Sequence, residues 1–320
     1  MSWRFDPFPY FLPLVGIGLV LLIWTFLSRT VAPDLPSPLQ TWEEGCMAFL
    51  RLQDVGKSYE TPKGRYLVLQ GLDLAVENGE FVAVVGYSGS GKTTLLSLIA
   101  GLITPDEGKI WLDGMPVQGP GPDRGIVFQN YSLLPWLTVF ENIYLAVDAV
   151  SSGLSTGEKR RRTERWARLV HLEGAMAKRP HELSGGMRQR VAVARGLATD
   201  PKLLLLDEPF SALDALTRGI LQDELARIWV EQSKTVVMIT NDVEEAIRLA
   251  TRIYPLTPGP GATLGPEIPV PIPHPRSRRL LSLDPVYQQV RRELTEFLIK
   301  ARRSGGRLGL ASPTPPEVPR

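Results

Sequence analysis

The residues best placed to do chemistry begin with "GYSGSGKTT", residues 86–94. Gly86, Gly91, Lys92 and Thr93 stand at the intervals of a loop that wraps phosphate oxygens, completed by Tyr87, Ser88, Gly89, Ser90 and Thr94. The glycines let backbone N–H groups turn inward, and the helix that follows presents its N-terminus to negative charge. Lys92 suits the β and γ phosphates, and the Thr93 hydroxyl suits Mg²⁺. A glycine turn of purely structural purpose would share this composition. The apolar run before Gly86 and the apolar helical run after Thr94 argue against that reading. A second set is "KLLLLDEPFSALD", where four leucines carry Asp207 to the end of a buried strand with Glu208 next to it. An aspartate there can hold Mg²⁺, usually through water, and Glu208 can orient and deprotonate an attacking water. Together with the phosphate loop, the two acids read as the other half of one site.

The stretch "KTVVMITNDVEEAIRLA", Lys234 to Ala250, runs a buried strand into an acidic-fronted helix with Asn241 at the junction. Asparagine is a good helix N-cap, and Glu244 three residues later makes an acceptable capping pair. The other reading gives the amide a place at a phosphate, as a neutral hydrogen-bond donor that cannot become a cation. His171, His181 and His274 are too scattered to suggest a metal site.

Three strand-to-helix junctions of this kind need a sheet to hold them together. From Ala48 to Ile253 strand-like runs alternate with helical patterns, the signature of an α/β domain with a largely parallel sheet. The formal charge of +2, from 36 basic and 34 acidic residues, gives no overall pull towards nucleic acid, and none is expected as a partner. The lone cysteine, Cys46, excludes an intrachain disulfide framework. Residues 1–46 hold the uncharged run Phe8 to Leu27, which at ~1.5 Å per helical residue is long enough to span a bilayer. Residues 47–255 form the nucleotide domain. Residues 256–303 comprise a Pro/Gly-rich connection and a helix over Asp284 to Arg303, spaced by Val286, Val290, Leu294 and Phe297. Residues 304–320 read as a disordered tail. The helix is basic at Arg291, Arg292, Arg302 and Arg303, which fits either a solvated face or contact with anionic lipid.

Between the two halves of the site lies "HELSGGMRQRVAVARGLA", and here the chain resembles the ATP-binding subunits of ABC transporters. The resemblance covers Phe49 to Ile253. It implies a P-loop ABC ATPase core with a mainly parallel sheet, an antiparallel β subdomain and a helical subdomain, behind one N-terminal hydrophobic helix. ATP and Mg²⁺ are the implied cofactors, with Thr93, Asp207 and Gln129 at the metal. Ser184, Gly185 and Gly186 would face the γ-phosphate held by the other subunit of a dimer. Tyr59 in "VGKSYE" matches the aromatic that stacks on adenine, Gln129 in "IVFQNYSLLPW" the glutamine that senses Mg²⁺ and the transport domain, and Asp214 in "SALD" the residue linking the two composite sites. At Asn241 the family normally has a histidine. That departure carries an expectation that the site on this chain's own phosphate loop hydrolyses slowly, within an asymmetric heterodimer whose partner keeps the histidine.

Within the family, "GPGPDRGIVFQNYSLLPWLTVFENI" and "LTPGPGATLGPEIPVPIPHPR" are similar to the importer branch for nitrate, bicarbonate, cyanate, taurine and sulfonates, with nitrate or bicarbonate nearest. The implied partners are membrane permease subunits, a second ATP-binding subunit and an external solute-binding protein. The implied location is peripheral, on the cytoplasmic face of the plasma (inner) membrane, with residues 8–27 as a candidate anchor. The amino-terminal segment resembles the first span of a permease from the same branch. A second natural-looking start stands at Met47, so a permease remnant joined to a complete ATPase is the favoured reading of residues 1–46. A translation or repair ATPase would bring a second nucleotide domain or a coiled-coil insertion, and an exporter would bring several spans.

Overall fold

The computed structural model describes residues 48–62, 64–276 and 281–305. The expected membrane span at 8–27 and most of the expected tail lie outside the described residues. Among the described residues no helix is long and apolar enough to cross a membrane.

Two sheets organise the domain. The first is antiparallel, in the order β2-β1-β4-β5, from β1 (Leu50–Thr61), β2 (Gly64–Val76), β4 (Glu107–Leu112) and β5 (Met115–Pro116). The second has six strands in the order β10-β9-β3-β8-β7-β6, from β3 (Phe81–Gly86), β6 (Arg124–Val127), β7 (Leu203–Asp207), β8 (Thr235–Thr240), β9 (Arg252–Leu256) and β10 (Ile268–Pro269). All of its neighbours pair in parallel except β10 with β9.

The central strands are continuous apolar runs because both faces are covered. Phe81, Ala83, Val85, Leu204, Leu206, Val236 and Met238 point into one core, shared with most of the helices. Val82, Val84, Leu203, Leu205, Val237 and Ile239 point into the other, shared with the antiparallel sheet and helix α1 (Lys92–Ile99). Thus α1 is clasped between two sheets, and its first residue, Lys92, sits where β3 ends.

The other helices are α2 (Val139–Val150), α3 (Thr156–Leu169), α4 (Gly185–Ala198), α5 (Ala215–Gln232), α6 (Val243–Leu249) and α7 (Pro285–Gly305). Their starts are set by side-chain caps. Thr138 with Glu141 and Ser155 with Glu158 form complete capping boxes on α2 and α3. Ser184 caps α4 and Asp214 caps α5. The expected pair of Asn241 and Glu244 does not form. Asp242 caps α6 instead, accepting from the N–H groups of Glu244 at 2.9 Å and Glu245 at 3.1 Å. The physical reason is that β8 stays extended through Thr240, which leaves Asn241 one residue too early to reach the helix's first N–H groups.

Candidate functional site

The site grows from the carboxyl edge of the parallel sheet. In register, Val85 of β3 lies opposite Thr240 of β8, and Asp207 of β7 lies opposite Ile239. Gly86, Glu208 and Asn241 therefore all emerge at the same level. Ligands in open α/β sheets are taken at this edge.

Gly89 and Gly91 turn the loop with φ of 77° and 92°, conformations that side chains resist. Gly86 is required for space, since a Cβ there would stand 2.8 Å from the Ser90 hydroxyl. That hydroxyl is buried and has no hydrogen-bond partner among the described residues. Lys92 is 4% exposed, and its ammonium donates to the carbonyls of Gly86 (3.0 Å) and Tyr87 (2.9 Å) while lying 3.3 Å from a Glu208 carboxylate oxygen. The loop is thus preformed around one buried cation.

The acidic half meets it directly. The Thr93 hydroxyl stands 3.5 Å from Asp207 Oδ1. Asp207 is 5% exposed, and burial, reinforced by the Glu208 charge, pushes its carboxyl up to about 6 against the pull of Thr93 and Lys92. Glu208 has φ of 43°, a left-handed conformation for a non-glycine residue, fixed by its N–H bonding to the Ile239 carbonyl at 2.9 Å. Such strain concentrates at functional sites. Gln129, just beyond β6, donates to Glu208 Oε2 at 3.3 Å and to the Ser211 hydroxyl at 3.4 Å. Ser211 in turn donates to the Glu208 carbonyl at 3.0 Å. It was readable only as part of "EPFSALD", with nothing in its type to mark it out.

The remaining residues fall into other places. Asn241 is exposed, and its side chain makes no hydrogen bond among the described residues. Asp214 accepts from Leu216 N–H at 3.1 Å and Thr217 N–H at 3.0 Å. Ser184 accepts from Met187 N–H at 3.3 Å, and Gly186 lies so close to α5 that a Cβ would meet a Thr217 methyl at 2.5 Å. Gly185 faces the Leu213 side chain. No hydrogen bond or ion pair among the described residues joins Ser184, Gly185 or Gly186 to Lys92, Thr93, Asp207 or Glu208. Tyr59 lies on β1 opposite Tyr66, with the Lys57 ammonium 5.8 Å from its ring centroid. Arg218 escaped sequence reading. It donates to the Leu213 carbonyl at 3.1 Å and to Asp242 at 3.4 Å, tying the Asp214 turn to the Asn241 junction.

A phosphate-binding loop clasped between two sheets, with an acid pair and a glutamine at the same edge, defines a nucleotide-binding ATPase. The ABC transporter family model matches residues 69–211. The chain is 49% identical over 266 residues to the nitrate import ATP-binding protein NrtD of Synechococcus elongatus, covering 83% of this chain and 96% of that one. It is 47% identical over 270 residues to the bicarbonate transport ATP-binding protein CmpD of the same species, covering 84% and 95%. Among solved structures, the dimeric post-hydrolysis state of the ATP-binding cassette MJ0796 bound to ADP and Pi aligns with a TM-score of 0.63 at 34% identity, over 69% of this chain and 98% of that one. The chain belongs to the ABC transporter family, among its ATP-binding subunits.

Proposed function

We propose that this chain binds and hydrolyses ATP to power the import of a small anion, nitrate or bicarbonate, through a membrane permease. The observation that carries the ATPase part is the meeting of Lys92, Thr93, Gln129, Asp207 and Glu208 at one sheet edge. The solute part rests on the similarity to the nitrate and bicarbonate relatives. In this reading Lys92 and the inward N–H groups of residues 87–92 hold the phosphates. Glu208, already held by Gln129, accepts a proton from the attacking water, a role worth about 10²–10⁴-fold in rate.

The Mg²⁺ that such a site implies fits the residues present. Asp207 is a buried acid whose carboxyl a divalent cation would stabilise in its ionised form, and the Thr93 hydroxyl stands beside it. Thr93, Asp207 and Gln129 would hold the ion, which supplies charge neutralisation at the phosphates when bound.

The separation of Ser184–Gly186 from the phosphate loop supports a dimer in which this helix end serves the partner's nucleotide. In the same reading Asp214 belongs to the dimer seam, and Tyr59, on the antiparallel sheet, is the adenine contact that the family resemblance implies. Asn241 is free of capping duty, which favours its other reading, a neutral donor towards the γ-phosphate. The permease is expected on the loop around Trp136, which is 66% exposed. The buried Asn142 stiffens that loop, accepting from Leu134 N–H and donating to the carbonyls of Leu134, Leu137 and Thr138. The test is ATP turnover in vesicles holding the chain with its permease and solute-binding protein. Turnover should rise with nitrate or bicarbonate outside, and a rise with taurine alone would overturn the anion assignment.

A further inference from the structure

Helix α7 is fixed to the domain along its length. Val290, Leu294 and Leu298 are buried in the core shared with most of the helices, and the Phe297 ring fills the space where a Cβ on Gly265 would stand, 2.3 Å away. From this anchored rod one arginine reaches α6 and another the phosphate loop. Arg291 lies 3.5 Å from Glu244 on α6, just past the Asn241 junction. About three turns later, the Arg302 guanidinium lies over the ring of Tyr87, 5.2 Å from its centroid.

Tyr87 is the first residue after Gly86 in the phosphate loop. Its ring packs against the same core as α7, and its carbonyl accepts from the Lys92 ammonium at 2.9 Å and from Ser90 N–H at 3.1 Å. A contact that fixes the Tyr87 ring therefore fixes the carbonyl that orients Lys92. We propose that Arg302 is a positioning residue for ATP binding, clamping Tyr87 from outside the loop and so holding Lys92 in its phosphate-ready place. The proposal rests on the nucleotide-site reading above. It concerns binding before the chemical step, because Lys92 is only one of the groups at Glu208, which is also held by Gln129, by Ser211 at its carbonyl and by the bond of its N–H to Ile239.

The experiment compares full-length wild type, Arg302→Ala, Arg302→Lys, Tyr87→Ala and the Arg302→Ala/Tyr87→Ala double variant. MgATP affinity is read by equilibrium titration with a fluorescent ATP analogue, and KM and kcat are read in the assembled importer. Arg302→Ala should weaken MgATP binding and raise KM by about two- to fivefold, the range of an exposed cation–π contact, with kcat held. Arg302→Lys should recover most of the affinity, since an ammonium also binds an aromatic face. In the double variant Arg302→Ala should add nothing to the effect of Tyr87→Ala, because contacting residues do not act independently. Wild-type affinity in Arg302→Ala, a fall in kcat with unchanged KM, or additive effects with Tyr87→Ala would overturn the inference while leaving the ATPase reading intact. A loss of affinity that Arg302→Lys does not recover would also overturn it. Failure of the wild type to bind MgATP would remove both claims.

Discussion

Glu245 offers a stability prediction that is tied to the geometry behind the site. It lies on the first turn of α6, 4% exposed, with Gln222 Nε2 donating to one carboxylate oxygen at 3.2 Å and the Thr240 hydroxyl to the other. Arg248 donates to Gln222 at 2.9 Å and to Asp223 at 2.6 Å, which fixes the amide that faces Glu245. Burial pushes the carboxyl up from 4.5 to about 7, outweighing the two hydrogen bonds. Between those values the folded chain keeps a proton that the unfolded chain has released. Stability therefore falls as pH rises through this window and is constant above it. At about 1.4 kcal/mol per pH unit, the ionised form costs the fold about 3 kcal/mol at pH 8. Glu245→Gln removes the ionisation and keeps a side chain that can accept from Gln222. The expected outcome in urea unfolding is equal stability near pH 4.5 and a variant about 3 kcal/mol more stable at pH 8. A difference that does not change with pH, or a variant less stable at pH 8, would show that Glu245 is not held protonated by the fold.

Two further outcomes follow from neighbouring contacts. Arg276, 6% exposed, donates to the carbonyls of Ile247 (2.6 Å), Ala250 (2.7 Å), Val270 (3.1 Å) and Ile272 (2.6 Å), so it closes the C-terminal end of α6. Arg276→Met should lose about 3–5 kcal/mol in urea unfolding, since it orphans buried acceptors, and a loss under about 1 kcal/mol would show that water replaces the guanidinium. Asn241→His should raise single-turnover hydrolysis at this chain's own phosphate loop by at least about tenfold, with the partner's catalytic glutamate disabled, if the amide only partly replaces an imidazole. Equal rates would show that Asn241 does that work and would remove the asymmetric-dimer reading.

The phosphate loop and the acid pair were legible because each is written in a few adjacent residues, whereas the caps that start α2, α3 and α5 were not singled out. The parallel sheet was legible for a related reason, since β3, β7 and β8 are unbroken apolar runs that only double-sided burial explains. What escaped was tertiary. Two adjacent residues at the end of β8 can both cap, and the choice of Asp242 over Asn241 depends on where the sheet lets the strand stop and on Arg218 reaching over from α5. Glu245 looks like one more acid on a solvated helix front, and its burial against Gln222 and Thr240 is set by tertiary packing. The basic residues of α7 read as a uniform charged face. Their division, Arg291 to α6 and Arg302 to the phosphate loop, needed the path that the Pro/Gly-rich connection takes. That path is pinned where Gly261 and Ala262 N–H groups bond to the carbonyls of Leu67 and Val68 on β2.

In the proposed function Glu208 serves hydrolysis while Lys92 serves binding, although the two side chains stand 3.3 Å apart. The most direct test sets MgATP affinity beside turnover for Glu208→Gln and Lys92→Ala in the assembled complex, with any different partner cassette silenced. Glutamine keeps the shape but cannot accept the proton. Glu208→Gln should therefore bind MgATP within about threefold of wild type and lose about 10²–10⁴-fold in turnover, whereas Lys92→Ala should lose binding first. Unchanged turnover in Glu208→Gln, or loss of MgATP binding in that variant with Lys92→Ala still binding normally, would contradict the account.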